Sequence, residues 1–216
     1  MLYSRRDPVI RPVPIADLRP TQMTVGFHEV ERKRKSWHEK SFKNAALASH
    51  MAPVVLGPGD VRYLTDHHHL ARALYDDGQK ELFVTVVGDL RKADREHFWT
   101  LMDYHGWTHP YDEKGRRCDY ADLPQTVAEL RDDPYRSLSG ALRRHGGFAK
   151  DSTPFSEFVW ADFFRSRIKA KDLKSDFEAT LDKAMALAKS GDADYLPGWC
   201  GPQDQKPAAK AKRKKG

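Results

Sequence analysis

Cysteine is nearly missing from this chain: Cys118 and Cys200 are the only two among 216 residues. They lie far apart and form no Cys-x-x-Cys pair, which argues against a disulfide framework and a zinc ribbon. No apolar run approaches the length needed to cross a bilayer. Residues 1–8 hold no hydrophobic signal region, and nothing apolar follows the Arg5-Arg6 pair, so a cytoplasmic location is expected. Three nucleotide and nucleophile signatures are missing as well. There is no Gly-x-x-x-x-Gly-Lys loop, no Gly-x-Gly-x-x-Gly after a strand and no Gly-x-Ser-x-Gly turn. No internal repeat is present.

What remains is a polar chain, 39% hydrophobic and 31% charged, with room for one domain or two small ones. Its formal net charge of +6 is unevenly placed. Lys206, Lys210, Lys212, Arg213, Lys214 and Lys215 stand against Asp204 in residues 201–216, leaving the rest of the chain near neutrality. The basic character therefore describes a tail rich in Lys, Ala and Pro. Such a tail is expected to be disordered, and either touches nucleic acid without specificity or aids solubility.

Along the chain, four prolines and alternating Val9, Val13 and Ile15 predict an edge strand, followed by a turn at residues 17–20. Residues 28–39 predict a charged helix, with Val30, Arg34 and Trp37 on one face and i,i+4 pairs such as Glu29–Lys33. Residues 41–51 read as a loop or short helix. Residues 53–56 and 62–64 predict two strands joined by the Gly57-Pro58-Gly59-Asp60 turn, and residues 81–87 another strand. After Asp89 the pattern turns helical, over residues 93–104, 122–131, 135–145, 155–167 and 172–189. The aromatic segment 155–167 predicts a helix buried against the sheet.

The chemistry concentrates where the strand at residues 61–65 runs into a helix, through Asp66-His67-His68-His69. A helix start presents unpaired N–H groups and the positive end of the helix dipole, which suits an anion such as phosphate. Imidazoles and a carboxylate beside it suit anion binding, metal binding or proton transfer. Neighbouring helix residues point about 100° apart, so all three histidines cannot converge on one ion. Asp66 also fits a plain structural role as the helix N-cap, and one histidine fits a buried place in the sheet–helix joint. His105 and His109, with Asp103 and Asp112, have a spacing compatible with a metal site but no helix to order them. Arg136, Arg143 and Arg144 read mainly as the solvated face of an amphipathic helix, and less as cations offered to a pocket.

The turn resembles the Asp-Gly-His-His-Arg motif of the ParB/sulfiredoxin superfamily, and residues 13–22 resemble that superfamily's first box. The order of elements matches over roughly residues 9–90, most like the group called ParB-like nucleases. The resemblance implies an α+β (α/β) fold: a small mixed sheet with helices at residues 1–90, then a helical region at 91–200 packed on it, then the tail. It implies a phosphate or nucleotide site, with Mg²⁺ as a companion, serving phosphoryl-transfer or phosphodiester chemistry. Asp66, His68 and His69 would be the catalytic residues; Thr21, Gln22, His67, His68, His69 and Arg72 would bind the cofactor. Three positions depart from the superfamily pattern. Leu70 replaces the arginine, Gln22 stands where the serine kinases of the superfamily place a glutamate base, and His67 takes the glycine position and also that of the sulfiredoxin cysteine. The C-terminal helices do not resemble a helix-turn-helix reader of DNA. The alternative to catalysis is a module that binds nucleic acid or protein through the fold and the tail.

Overall fold

Proline marks both edges of the sheet. A computed structural model describes residues 11–39 and 50–202. In it β1 (Arg11–Pro14) forms one edge and, after a 3-10 turn at Ile15–Asp17, β2 (Leu18–Pro20) forms the other. Pro12, Pro14 and Pro20 lack an N–H donor, and an edge strand can leave that side unpaired. Residues 18–20 are thus a strand, where the sequence reading expected a turn. Val9, residues 203–216 of the tail and most of the segment 41–51 lie outside the described residues.

The chain continues through β3 (Thr24–Val25), α1 (Phe27–His38), β4 (Ala52–Leu56), β5 (Arg62–Leu64), α2 (His68–Asp76), β6 (Glu81–Asp89) and α3 (Arg95–Tyr104). There follow β7 (Arg131–Asp132), α4 (Pro134–Arg144), α5 (Ser156–Arg165), α6 (Ala170–Ser175) and α7 (Phe177–Ala188). The five-stranded sheet has the order β1-β6-β4-β5-β2. Its neighbours alternate between antiparallel (β1–β6, β4–β5) and parallel (β6–β4, β5–β2), so the sheet is mixed and the fold is α+β. No helix among the described residues is long and apolar enough to cross a membrane.

Strand alternation gives the sheet two buried faces. Leu18, Val54, Leu64, Leu82 and Val84 pack against Val30 and Trp37 of α1 and Ala71 and Leu74 of α2. On the opposite face Val55, Tyr63 and Val87 meet Phe98 and Met102 of α3. The turn after α2 ends as expected. Gly78 takes φ +74°, and the amides of Gly78 and Gln79 reach Tyr75 O and Leu74 O, the paired bonds of a glycine-closed helix end.

The second half departs from the sequence reading in four places. Residues 122–131 form no helix; 3-10 turns at Tyr120–Asp122 and Val127–Glu129 flank Pro124, and β7 pairs in parallel with β3. Val127 and Leu130 join the core under the sheet, so the chain returns to the first half well past residue 90. α4 has no broadly solvated face: every residue from Tyr135 to Leu142 is buried. α5 buries Trp160, Phe163 and Phe164 in a separate core with Leu138, Leu142 and Phe148, not against the sheet. Each fully buried side chain of this size contributes about 1.5–3 kcal/mol. Finally, the helix expected at 172–189 breaks at Asp176, whose carboxylate caps α7 by accepting from Ala179 N (3.0 Å).

Candidate anion-binding site

Two histidines fasten the β2–α1 segment to the start of α2. His68 Nε2 accepts the Thr21 amide (3.2 Å), and its ring also bonds the Leu64 carbonyl. His69 Nε2 accepts the Gly26 amide (2.9 Å). Both rings are buried, and burial pushes His68 down to about 3 and His69 well below the ordinary imidazole value. They are neutral at any ordinary pH. His68 spends both nitrogens on backbone, so it has none left for proton transfer. His69 keeps one, since Nδ1 carries the proton and has no protein partner among the described residues.

The turn before them is bent. His67 adopts φ +64°, the left-handed region, at the very position where the resembled motif has glycine. His67, and not Asp66, is the N-cap residue, and no side chain caps α2. Asp66 Oδ1 turns back to accept the His67 amide (2.6 Å). The helix therefore starts uncapped beside a cavity of about 260 Å³. Gln22, Asp66, His68 and His69 line it from the first half, and Arg136 and Phe158 from the second.

Arg136 comes from α4, whose start is set by Pro134 in the first turn and by Asp133, which accepts from Tyr135 N (2.9 Å). Its guanidinium is buried and lies over the Phe158 ring at 5.2 Å. Nη2 pairs with Glu157, which also holds Arg143, while Nε and Nη1 are buried with no hydrogen-bond partner. Burial is the largest influence on this group and lowers its pKa, with Glu157, Glu29 and Asp133 opposing. An arginine stays charged even so. The site thus holds a cation with two unbonded nitrogens, neutral imidazoles, and a helix start.

Other expected residues lie elsewhere or do other work. Arg72, expected to bind the cofactor, donates to Ala128 O and Leu130 O (3.1 and 2.6 Å), pairs with Asp76 and covers Phe27. The helix carries it away from the cavity. Thr21 is fully buried, donating its hydroxyl to Leu64 O (2.7 Å), while its carbonyl accepts from His109 N and Thr108 Oγ1. Its amide already belongs to His68. His67 is not part of the cavity lining; its pKa is lowered by burial and its Nδ1 is buried without a partner. Gln22 lines the cavity, with its amide nitrogen donated to Thr24 O (2.8 Å). Asp66 stands exposed at the mouth.

The loop histidines do not gather a metal. His109 is stacked among Tyr111, Phe155 and Phe158, and burial, with Arg136 and Arg165, pushes it down to about 4. Asp112 is occupied by its own loop, accepting from Lys114 N, Arg116 N and the Arg116 side chain. Among the described residues no group of three or more His, Cys, Asp or Glu is placed to hold a metal ion. The cavity's donors do not fit a protein-held Mg²⁺ either. That ion prefers several oxygen ligands, and Glu157 is committed to arginines while Asp66 stands alone.

Arg136 and Glu157 are the residues that sequence reasoning undervalued. A local signal existed: Ser139 and Gly140, one turn on from Arg136, are small enough to leave space for a guanidinium. A Cβ at Gly140 would come within 3.0 Å of Arg136 Nη1.

Residues 11–166 match the family described as "Putative ParB-like nuclease". A solved structure, protein Atu1540 from Agrobacterium tumefaciens, superposes with a TM-score of 0.84 at 46% identity. The match covers 90% of this chain and 99% of that one. No curated protein matches the chain. The chain belongs to the ParB-like nuclease family.

Proposed function

We propose that this ParB-like protein binds a phosphate-bearing ligand, a nucleotide or a phosphodiester, in the cavity at the start of α2. The observation that carries the reading is Arg136, buried on the cavity wall with two nitrogens unbonded. A buried charge with unmet hydrogen bonds is costly, and an anion that completes them relieves that cost. Arg136 supplies from a different helix the cation that Leu70 withdraws from the motif. The uncapped first turn of α2 and the His69 Nδ1–H add donors.

For phosphodiester chemistry the roles reduce to two. Arg136 and the helix start take up the charge that grows on the phosphate. Asp66, the cavity carboxylate not held by an arginine, accepts the proton of a water that attacks phosphorus, while the P–O ester bond opposite breaks and its leaving oxygen takes a proton from solvent water. His68 holds the site in shape.

Thermal unfolding with inorganic phosphate, nucleotides and short DNA tests binding. A ligand at a hundred times its Kd adds roughly 2.7 kcal/mol, which raises Tm by roughly 5–10 °C in a chain of this size. The rise given by inorganic phosphate alone should vanish in Arg136→Gln; a phosphate-induced rise that persists in that variant sinks the reading. Asp66→Asn should keep the rise and lose any phosphodiester turnover.

A second reading, a binding module without catalysis, is favoured by His68, whose ring is wholly spent on backbone. It predicts that Asp66→Asn changes nothing. If nucleic acid is held through the basic tail instead, removing residues 201–216 abolishes DNA binding while Arg136→Gln spares it.

A further inference from the structure

A second cavity, of about 290 Å³, opens between the β2 edge and α3 and shares no lining residue with the first. Its walls are unlike those of the first site. Tyr63, Phe98, Trp99 and Tyr120 form a run of aromatic rings, with Tyr63 and Phe98 centroids 4.6 Å apart and Trp99 and Tyr120 stacked at 4.8 Å and 3°. Phe98 is buried in the core, but Tyr63, Trp99 and Tyr120 keep part of their surface open. Two arginines complete the lining, Arg19 from β2 and Arg95 from the first turn of α3. Arg19 hydrogen-bonds the Tyr63 hydroxyl, and Arg95 is exposed with its charge felt at the same phenol.

Neither arginine has a carboxylate partner among the described residues, and no acidic side chain lines the cavity. Most arginines among the described residues do hold acids, as Arg32, Arg34, Arg72, Arg91, Arg116 and Arg165 show. Asp103, beyond Tyr120, is engaged with Tyr120 and, at 3.9 Å, with Arg117. An aromatic cleft offers stacking to a flat ring, and two uncompensated guanidiniums ask for an anion with paired oxygens.

We propose that this cleft is a second, independent site for a nucleotide unit, taking a nucleobase against the Trp99–Tyr120 wall and its phosphate on Arg19 and Arg95. The unit is either a free mononucleotide or one nucleotide of a single strand. The volume accepts one ring and an attached anion, at the small end of ligand cavities.

The test is equilibrium binding of AMP, inorganic phosphate and a short labelled oligothymidylate to wild-type protein and to Arg136→Gln, in which the first site is disabled. Saturable binding of AMP or of the oligonucleotide should remain in Arg136→Gln. It should weaken about tenfold or more when Arg95→Gln or Arg19→Gln is added, the usual loss for one hydrogen bond to a charged group. AMP competing with the labelled probe assigns a mononucleotide, and binding of the oligonucleotide alone assigns a single strand. Phosphate competing as well as AMP overturns the proposal, because the ring would then contribute nothing. So does the absence of saturable binding in Arg136→Gln, or affinity unchanged by both arginine substitutions. Arg95 is exposed, so Arg95→Gln keeps the test valid should Arg19→Gln misfold.

Discussion

His68 and His69 are buried, and His109 is half-buried among Tyr111, Phe155 and Phe158. Desolvation holds each imidazole neutral, so folding excludes a proton that the unfolded chain accepts near pH 6.5. The folded-state values lie below the unfolded one. Their contribution is therefore fully present above about pH 6.5 and is lost as pH falls, toward about 3 for His68 and about 4 for His109. Each such histidine removes up to about 1.4 kcal/mol per pH unit within that window. Urea midpoints should therefore drop between pH 6.5 and pH 5 with little change in slope. A flat profile over that range would show that these rings are accessible to protons.

At the scale of elements, α1 and α4 meet where Gly26 faces Ser137. A Cβ built on Gly26 would lie 2.6–2.8 Å from the Ser137 hydroxyl, amide and Cα, which is backbone and cannot step aside. The same glycine gives its amide to His69. Gly26→Ala should cost roughly 1–3 kcal/mol from overpacking, measured by urea unfolding, and should also weaken anion binding by moving the His69 anchor. Stability equal to wild type would mean that the two helices pack less closely than described. The Glu157 link between α4 and α5 behaves differently. Glu157→Gln leaves Arg136 and Arg143 without their shared acid. Because Glu157 keeps some exposure, the loss should be roughly 2 kcal/mol, below that of a fully enclosed pair. Added phosphate should recover part of it in thermal unfolding, and more than it raises wild type; a smaller rise than in wild type would separate Arg136 from the anion.

At the scale of the whole molecule, the candidate site exists because two halves of the chain meet. Asp66, His68 and His69 are carried by the strand–helix turn, while Arg136, Glu157 and Phe158 arrive from helices whose own core is separate. Local pattern was enough for β1, α1, β4, β5, α2 and β6 in order, though not for β2 and β3, and for the Gly57–Asp60 turn and the glycine-closed end of α2. These rest on periodicity, turn chemistry and positive φ, which a short window contains. The parallel pairing of β2 with β5 and of β3 with β7 was beyond such a window, because β2 and β3 are too short to show a period. The solvated face expected for α4 also failed, since Arg136 is polar by composition and buried by position. Sequence alone determined that a strand runs into a helix at an acid and three histidines, and with it the family. Only the tertiary structure decided that two of those histidines serve as acceptors for backbone amides, that Arg72 turns away, and that a distant arginine lines the same cavity. The physical reason is that hydrogen-bond partners and burial belong to neighbours in space, and Arg136 is 67–68 residues away along the chain from the imidazoles it joins.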